Sequence, residues 1–365
     1  MVYALIMAGG IGSRFWPKSR VEAPKQFLKF FDDKTLLQNT IDRIRPIIPA
    51  ERIIVSTNSD YVHIVQEQIP DLPEENIIGE PVAKNTAPCI AFAASLVHYR
   101  DPDATMIVLP SDHYITNEKA FLQDLELCTK ISDENNRLVT IGITPTRPET
   151  GYGYIQFDDN QVILFNGNEA YPVKTFAEKP DVQTALKFLQ SGDFLWNSGM
   201  FIWKTGKILE EINKHLPVLH HQVNIFHRHL KENDGLISSD VLQSVYNSCF
   251  SVSVDYGIME KSDEVVVVPS HFDWSDLGSW MAVYELQKDK VDENGNIINA
   301  PNVLTVKSQN SYVASDSKKL ITIVGLQGVG LIETDDALLI CKLDSSQNVK
   351  EVYDKLEEQE LRRYR

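Results

Sequence analysis

The chain has 365 residues, 43% hydrophobic and 24% charged, the balance of a soluble globular protein large enough for one big domain and a smaller one. Its formal net charge of −16 excludes the broad basic surface that non-specific nucleic-acid binding needs, and no apolar run reaches membrane-spanning length. Cys89, Cys128, Cys249 and Cys341 are scattered, with no CxxC or His/Cys cluster, so neither a zinc site nor a disulfide framework is expected. The N-terminus runs straight into a strand rather than a signal peptide, and the expected compartment is the cytoplasm.

The first half alternates strand and helix. Strands are predicted at Tyr3–Ala8, Arg52–Thr57, Ile77–Ile78, Thr105–Leu109 and Leu138–Ile143. Between them lie helical patterns at Leu36–Ile44, Ser59–Gln68 (with Ser59 as N-cap), Thr86–Tyr99 and Phe121–Ser132. This βαβα order predicts an α/β fold with a Rossmann-like, mixed but mainly parallel sheet covered by helices on both faces. Ligands of such sheets sit at the carboxyl ends of the strands. Later come strands at Tyr154–Phe157, Lys174–Glu178, Gly199–Trp203 and Glu264–Pro269, and helices at Val182–Ser191, Lys207–His215, Val218–Leu230, Gly257–Lys261 and Trp280–Gln287. Asp289–Ala300, with its Glu-Asn-Gly-Asn, reads as a linker or long turn. Five short β runs between Val303 and Lys342 then predict a small all-β unit, β-helix-like, closed by an amphipathic helix at Asn348–Glu358. The expected domains are residues 1–288 and 300–365.

The chemistry begins directly after the first strand, in Gly9-Gly10-Ile11-Gly12-Ser13-Arg14, with Lys25 eleven residues beyond Arg14. Glycines there let the backbone turn sharply and approach a ligand, and successive N–H groups converge on an anion. Arg14 and Lys25 add positive charge, which suits a nucleoside triphosphate. Neither GxxxxGK[ST] nor GxGxxG fits, since Phe15 stands where the latter needs its third glycine. Leu109-Pro110-Ser111-Asp112 ends a buried strand in a carboxylate suited to a hard cation such as Mg²⁺, although aspartate at such a place is also a common turn former. Asp273-Trp274-Ser275-Asp276-Leu277-Gly278 supplies further carboxylates. Asp276 is favoured as the second Mg²⁺ ligand, and Asp273 is left to helix capping or orientation.

The segment AGGIGSRFWPKSRVEAPKQF resembles the N-terminal signature of the sugar-1-phosphate nucleotidyltransferases, and in its WPxSR and PKQF details the mannose-1-phosphate guanylyltransferases. Glu80 to Pro88 is similar to the family's EPxxKNTAP, Gly151 to Tyr154 to its sugar-side loop, Phe176 to Pro180 to FxEKP, Trp196 to Phe201 to WNSGMF, and Asp273 to Trp280 to DWxDxGxW. The resemblance spans roughly residues 1–345 as an ordered series, stronger than any one motif. It implies transfer of GMP from GTP to mannose 1-phosphate, with GDP-mannose and diphosphate as products. It further implies Arg14, Lys25, Asp112 and Asp276 as catalytic residues, with Asp112 and Asp276 on Mg²⁺. Ala8, Gly9, Gly10, Gly12, Glu80, Asn85 and Thr86 would bind nucleotide, and Gly153, Glu178, Lys179 and Asn197 the sugar phosphate. Glu80, a pure acceptor, matches the two donors on one edge of guanine, a job backbone carbonyls also do; Asn85 and Thr86 serve equally well as helix caps. A homo-oligomer, specifically a dimer, is expected, with neither nucleic acid nor membrane as partner. Some relatives carry a cupin domain that isomerises mannose 6-phosphate; no isomerase activity is expected here, and the β unit is expected to serve assembly or packing. The competing readings are a nucleotidyltransferase for another sugar or base, and a non-catalytic nucleotide-sugar-binding regulator.

Overall fold

The computed structural model describes residues 1–165 and 167–365. They pack as two compact units that interleave along the sequence. The first holds Met1–Gly9, Thr40–Ser111 and Ile115–Trp274, and the second Gly10–Asn39, Asp112–Tyr114 and Ser275–Arg365.

The first unit is organised by a sheet of ten strands among the described residues. Its order runs Ile77–Glu80, Ile53–Asn58, Val2–Ala8, Thr105–Pro110, Phe194–Lys204, Leu138–Ile143, Val265–Pro269, Asn168–Glu178 and Gly153–Phe157, with Ile163–Phe165 paired to Asn168–Glu178 off that path. The first four strands are mutually parallel, with Leu5 opposite both Ile54 and Val108. Phe194–Lys204 is antiparallel to both neighbours. Leu5 and Ile6 point to opposite faces, as do Ile107 and Val108, and all four are fully buried. Both faces of this part of the sheet are therefore covered, which explains why its strands read as continuous apolar runs.

Helix Thr86–Arg100 is apolar all round, and residues 87–97 are buried accordingly. Helices Thr205–His215 and Pro217–Glu232 pack on it. Its Phe92 ring lies 5.3 Å from Phe226 and 4.8 Å from Tyr246. Tyr246 belongs to a helix, Ser239–Asn247, that the sequence reading left out. The predicted Ser59 cap is corrected as well: Asn58 accepts from the Asp60 N–H at 2.9 Å and opens the turn instead. Among the described residues no helix is long and apolar enough to cross a membrane.

The second unit contains a four-stranded sheet ordered Ile297–Asn299, Tyr312–Ser315, Val329–Glu333 and Leu338–Lys342. The first three strands are parallel, with Ile297, Tyr312 and Gly330 in register. A second parallel pair joins Val303–Val306 to Ile321–Val324. Val313, Ile323 and Leu331 form a small core that Ile298, Val303 and Ile321 complete. Short parallel strands stacked at successive turns of the chain make this a β-helix-like coil. Ile297–Asn299 corrects the expectation of a linker over Asp289–Ala300, since its first rung lies inside that polar stretch. Helix Val349–Glu358 leaves the coil and packs against the short turn Ser13–Phe15. One apolar cluster unites Phe15, Trp16, Leu277 and Trp280 with Tyr312 and Tyr353. Trp16 Nε1 donates to the Tyr364 carbonyl at 2.7 Å.

Candidate active site

Within the second unit, the glycine loop folds around one lysine. Gly12 adopts φ +73°, and a Cβ on it would fall 2.3 Å from the Cβ of Lys25. Only glycine fits there, so its first duty is toward a side chain of the protein. Lys25 is 5% exposed, and its backbone N–H donates to the Ile11 carbonyl at 3.1 Å. Its ammonium donates to Asp112 Oδ2 and to the backbone carbonyl of Asp276, each at 2.7 Å. The two aspartates, 164 positions apart in the sequence, thus meet at one cation.

These groups line a cavity of about 350 Å³ together with Arg14, Gly278 and Lys350. Burial pushes the Asp112 carboxyl up, but the Lys25 ammonium and, behind it, His113 outweigh that and hold it below the ordinary carboxylate value. Asp276 is followed by Leu277, a fully buried residue at φ +48°, where a branched side chain costs about 1–2 kcal/mol. Strain of that kind persists only where packing dictates it, here the cluster around Trp280. At Gly278 a Cβ would lie 2.9 Å from Asp276 Oδ2, so glycine keeps the space beside that carboxylate open. Helix Trp280–Leu286 is capped by Ser279, which accepts from the Ala282 N–H, so capping accounts for neither Asp273 nor Asp276.

The first unit holds the remaining predicted residues in two neighbouring groups, except Gly10, which opens the second unit. Glu80, at the end of its strand, is 8% exposed and accepts from Ser56 Oγ at 2.8 Å. Burial raises its pKa above the ordinary glutamate value, while Ser56, Cys89 and Tyr246 beside it pull the other way. Gly9 faces the same carboxylate: a Cβ there would lie 3.9 Å from Oε1. Ala8 is buried and its carbonyl accepts from Thr57 Oγ1 at 2.8 Å, whereas a Cβ on Gly10 would meet nothing within 4 Å. Asn85 caps helix Thr86–Arg100 by accepting from the Thr86 N–H at 2.9 Å, and Thr86 Oγ1 accepts from the Val254 N–H at 2.8 Å.

The second group gathers Gly153, Glu178, Lys179 and Asn197. A Cβ on Gly153 would lie 2.5 Å from Glu178 Oε2 and 3.3 Å from Asn197 Cβ, so glycine lets those side chains close over the backbone. Lys179 Nζ donates to Glu178 Oε1 at 2.6 Å. Asn197 sits where the pairing of its strand with Leu138–Ile143 shifts between Asn197 and Phe201, and Gly199 in that bulge has φ +69°. A bulge re-aims a side chain away from the regular pleat. The predicted strand start at Gly199 is corrected on this ground, since the strand begins at Phe194 and runs through the irregularity.

Asn197 also exposes a residue that the sequence reading missed. Its Nδ2 donates to Asp255 Oδ1 at 2.7 Å while its Oδ1 accepts from the Gly199 N–H at 3.1 Å, which fixes the amide. Burial raises the Asp255 pKa above the ordinary aspartate value; the Asn197 hydrogen bond opposes this and the nearby Glu178 charge adds to it. Asp255 opens a π-helical turn, Asp255–Met259, a rare geometry found often at functional sites. In sequence it was one more aspartate ahead of a short helix. Val254 and Asp255, adjacent in the chain, touch the Thr86 and Asn197 groups respectively. Among the described residues no three His, Cys, Asp or Glu side chains are arranged to hold a metal.

The Nucleotidyl transferase family model matches residues 3–293, and that of the MannoseP isomerase/GMP-like beta-helix domain residues 301–356. A mannose-1-phosphate guanylyltransferase of Klebsiella pneumoniae is 37% identical over 100% of this chain and 76% of its own length. One from Salmonella typhimurium is 39% identical over 97% of this chain and 73% of its own. A solved structure from Thermus thermophilus, named mannose-1-phosphate geranyltransferase, is 30% identical, with a TM-score of 0.84 over 98% of this chain and 99% of that one. The chain therefore belongs to the nucleotidyl transferase family, as an enzyme whose curated relatives are named mannose-1-phosphate guanylyltransferases.

Proposed function

We propose that the protein transfers GMP from GTP to α-D-mannose 1-phosphate, giving GDP-mannose and diphosphate. The observation that carries this reading is the cavity in which Arg14, Lys25, Asp112 and Asp276 come together. A phosphate oxygen of the sugar phosphate forms the new bond to the α-phosphorus of GTP, and the bond from that phosphorus to the bridging α–β oxygen breaks as diphosphate leaves. The attacking oxygen is already anionic, so no general base is required. Positioning and charge neutralisation carry the rate.

Arg14 holds the outer phosphates. Lys25 steadies Asp112 and Asp276 and presents positive charge toward the α-phosphate. Asp112 and Asp276 suit Mg²⁺ by type and number, since that ion takes one or two carboxylates and completes its shell with water and substrate phosphate. Two features favour the fit: Lys25 and His113 hold the Asp112 carboxyl below the ordinary carboxylate value, and Gly278 puts no side chain against the Asp276 carboxylate. Mg²⁺ bound there would neutralise phosphate charge. At the base, Glu80 reads guanine, with Asn85 and Thr86 nearby. Glu178 and Asn197 accept from and donate to sugar hydroxyls, and Lys179 offsets the charge of the sugar phosphate.

The test is diphosphate release in the presence of Mg²⁺, with GTP, ATP, UTP and dTTP each offered alongside mannose 1-phosphate or glucose 1-phosphate. Release confined to GTP with mannose 1-phosphate supports the assignment. Release with another pair keeps the chemistry and overturns the roles given to Glu80 and the sugar group. No release from folded protein that still binds GDP-mannose would instead mark a binding regulator.

A further inference from the structure

The closing helix of the β unit brings a lysine to the cavity that no catalytic motif contains. Lys350 is the second residue of helix Val349–Glu358 and lines the same cavity as Arg14, Lys25, Asp112 and Asp276. The helix is not free to drift. Val349, Tyr353 and Leu356 are buried in the cluster that contains Phe15 and Trp16, the residues directly after Arg14. The chain's last residues brace the same loop, through the Trp16 bond to the Tyr364 carbonyl and a Val21 N–H bond to the Arg365 carbonyl at 3.2 Å. Lys350 therefore has a fixed base and an exposed head, and its neighbours hold it beside the glycine loop.

Charge says what it is placed for. Three cations, Arg14, Lys25 and Lys350, face two carboxylates across the cavity. The Lys25 ammonium is already engaged by Asp112 and the Asp276 carbonyl. Without Lys350 the formal charge of these lining side chains falls from +1 to zero, in a chain whose net charge is −16. A polyphosphate approaching such a protein needs local positive charge to enter at all.

We propose that Lys350 is a phosphate-binding residue for the outer two phosphates of the nucleotide, and so for the diphosphate that leaves. The β unit then does more than assemble or pack, because it completes the charge of the cavity. The proposal rests on the functional reading above for its nucleotide, and on the cavity alone for its ligand class. Lysine serves phosphate as a mobile point charge, so arginine at the same place should substitute for it.

The experiment is calorimetric titration of the full chain with inorganic diphosphate, comparing wild type, Lys350→Ala, Lys350→Arg and Lys355→Ala. Lys355 lies on the same helix but does not line the cavity. Losing one exposed charge-assisted contact should weaken diphosphate binding about fivefold in Lys350→Ala, with Lys350→Arg within about twofold of wild type. Lys355→Ala should bind as wild type does, and GMP, which lacks the outer phosphates, should bind all four proteins alike. In turnover the KM for GTP should rise in Lys350→Ala while that for mannose 1-phosphate stays put. Equal diphosphate affinity in wild type and Lys350→Ala would overturn the proposal, as would an equal loss in Lys355→Ala or no binding by any of the proteins. Lys350-dependent diphosphate binding by a protein that releases none from GTP would uphold the proposal and sink only the assigned reaction.

Discussion

Gly12→Ala tests whether the glycine loop is built for its ligand or for its lysine. Alanine at φ +73° costs about 1–2 kcal/mol for the left-handed backbone. The new Cβ also lands 2.3 Å from Lys25 Cβ, well inside any real contact, so loop or lysine must move. Forcing a methyl group into a packed place typically costs a further 1–3 kcal/mol or so. The sum is roughly 2–5 kcal/mol, large against the whole stability of a domain. Any shift of Lys25 also draws its ammonium from both acceptors, so turnover should fall along with stability. Gly10→Ala is the matched control, because a Cβ there meets nothing within 4 Å. It should change stability by no more than about 0.5 kcal/mol. Urea titrations of both variants beside steady-state kcat/KM make the comparison. A Gly12→Ala protein as stable as wild type but inactive would refute the packing argument and return the glycine to ligand approach alone.

Lys25→Met removes the cation that Asp112 and the Asp276 carbonyl share; turnover should drop at least about a hundredfold, and a variant within about tenfold of wild type would take Lys25 out of the mechanism. Glu80→Gln keeps the acceptor for Ser56 and removes a charge that burial disfavours. Because the folded pKa of Glu80 is raised, wild type is favoured by protonation below the ordinary value of 4.5 and loses that stability as pH climbs through the raised value. The melting temperature of Glu80→Gln relative to wild type should therefore rise with pH above 4.5, and parallel curves would count against a raised pKa. The same variant should narrow the preference for GTP over ATP. Asp255→Ala frees the Asn197 amide that Asp255 and Gly199 hold between them, and should raise the KM for mannose 1-phosphate about tenfold with the KM for GTP unmoved. Equal increases for both substrates would make Asp255 a general structural support.

Where sequence spoke clearly, the physical signal was local. The buried strands Leu138–Ile143 and Thr105–Pro110 appear within a residue of their predicted ends, because apolar runs covered on both faces are unambiguous. Asp112 was legible as the acid after such a strand. Its partner in the cavity, Asp276, was read as a second carboxylate within a stretch that resembles DWxDxGxW, and the structure gives Gly278 of that stretch a reason beside the carboxylate. Local irregularity misled in proportion. Asn197-Ser198-Gly199 looked like a strand boundary, yet the strand passes through as a bulge, with glycine taking the positive φ. The polar run before Ile297 looked like a linker, yet the two isoleucines at its end are enough for a three-residue strand, with Ile297 buried and Tyr312–Ser315 supplying the register.

What stayed hidden depended on residues far apart in the chain. Nothing near Gly12 announces that its hydrogen faces Lys25, thirteen positions on, and nothing near Leu277 announces a left-handed backbone held by Trp280 and its cluster. Asp255 shows itself only through Asn197, fifty-eight residues earlier, and Lys350 only through a cavity whose other cations come from the first twenty-five residues. The compact units explain the pattern. Residues 10–39 pack with 275–365, so the loop that opens the chain and the helix that closes it share one core. A motif reading takes each stretch beside its sequence neighbours and, expecting no isomerase activity from the β coil, leaves it to assembly or packing. In the folded unit that distance vanishes: Phe15, Trp280 and Tyr353 are parts of one cluster, and Arg14 and Lys350 border one cavity.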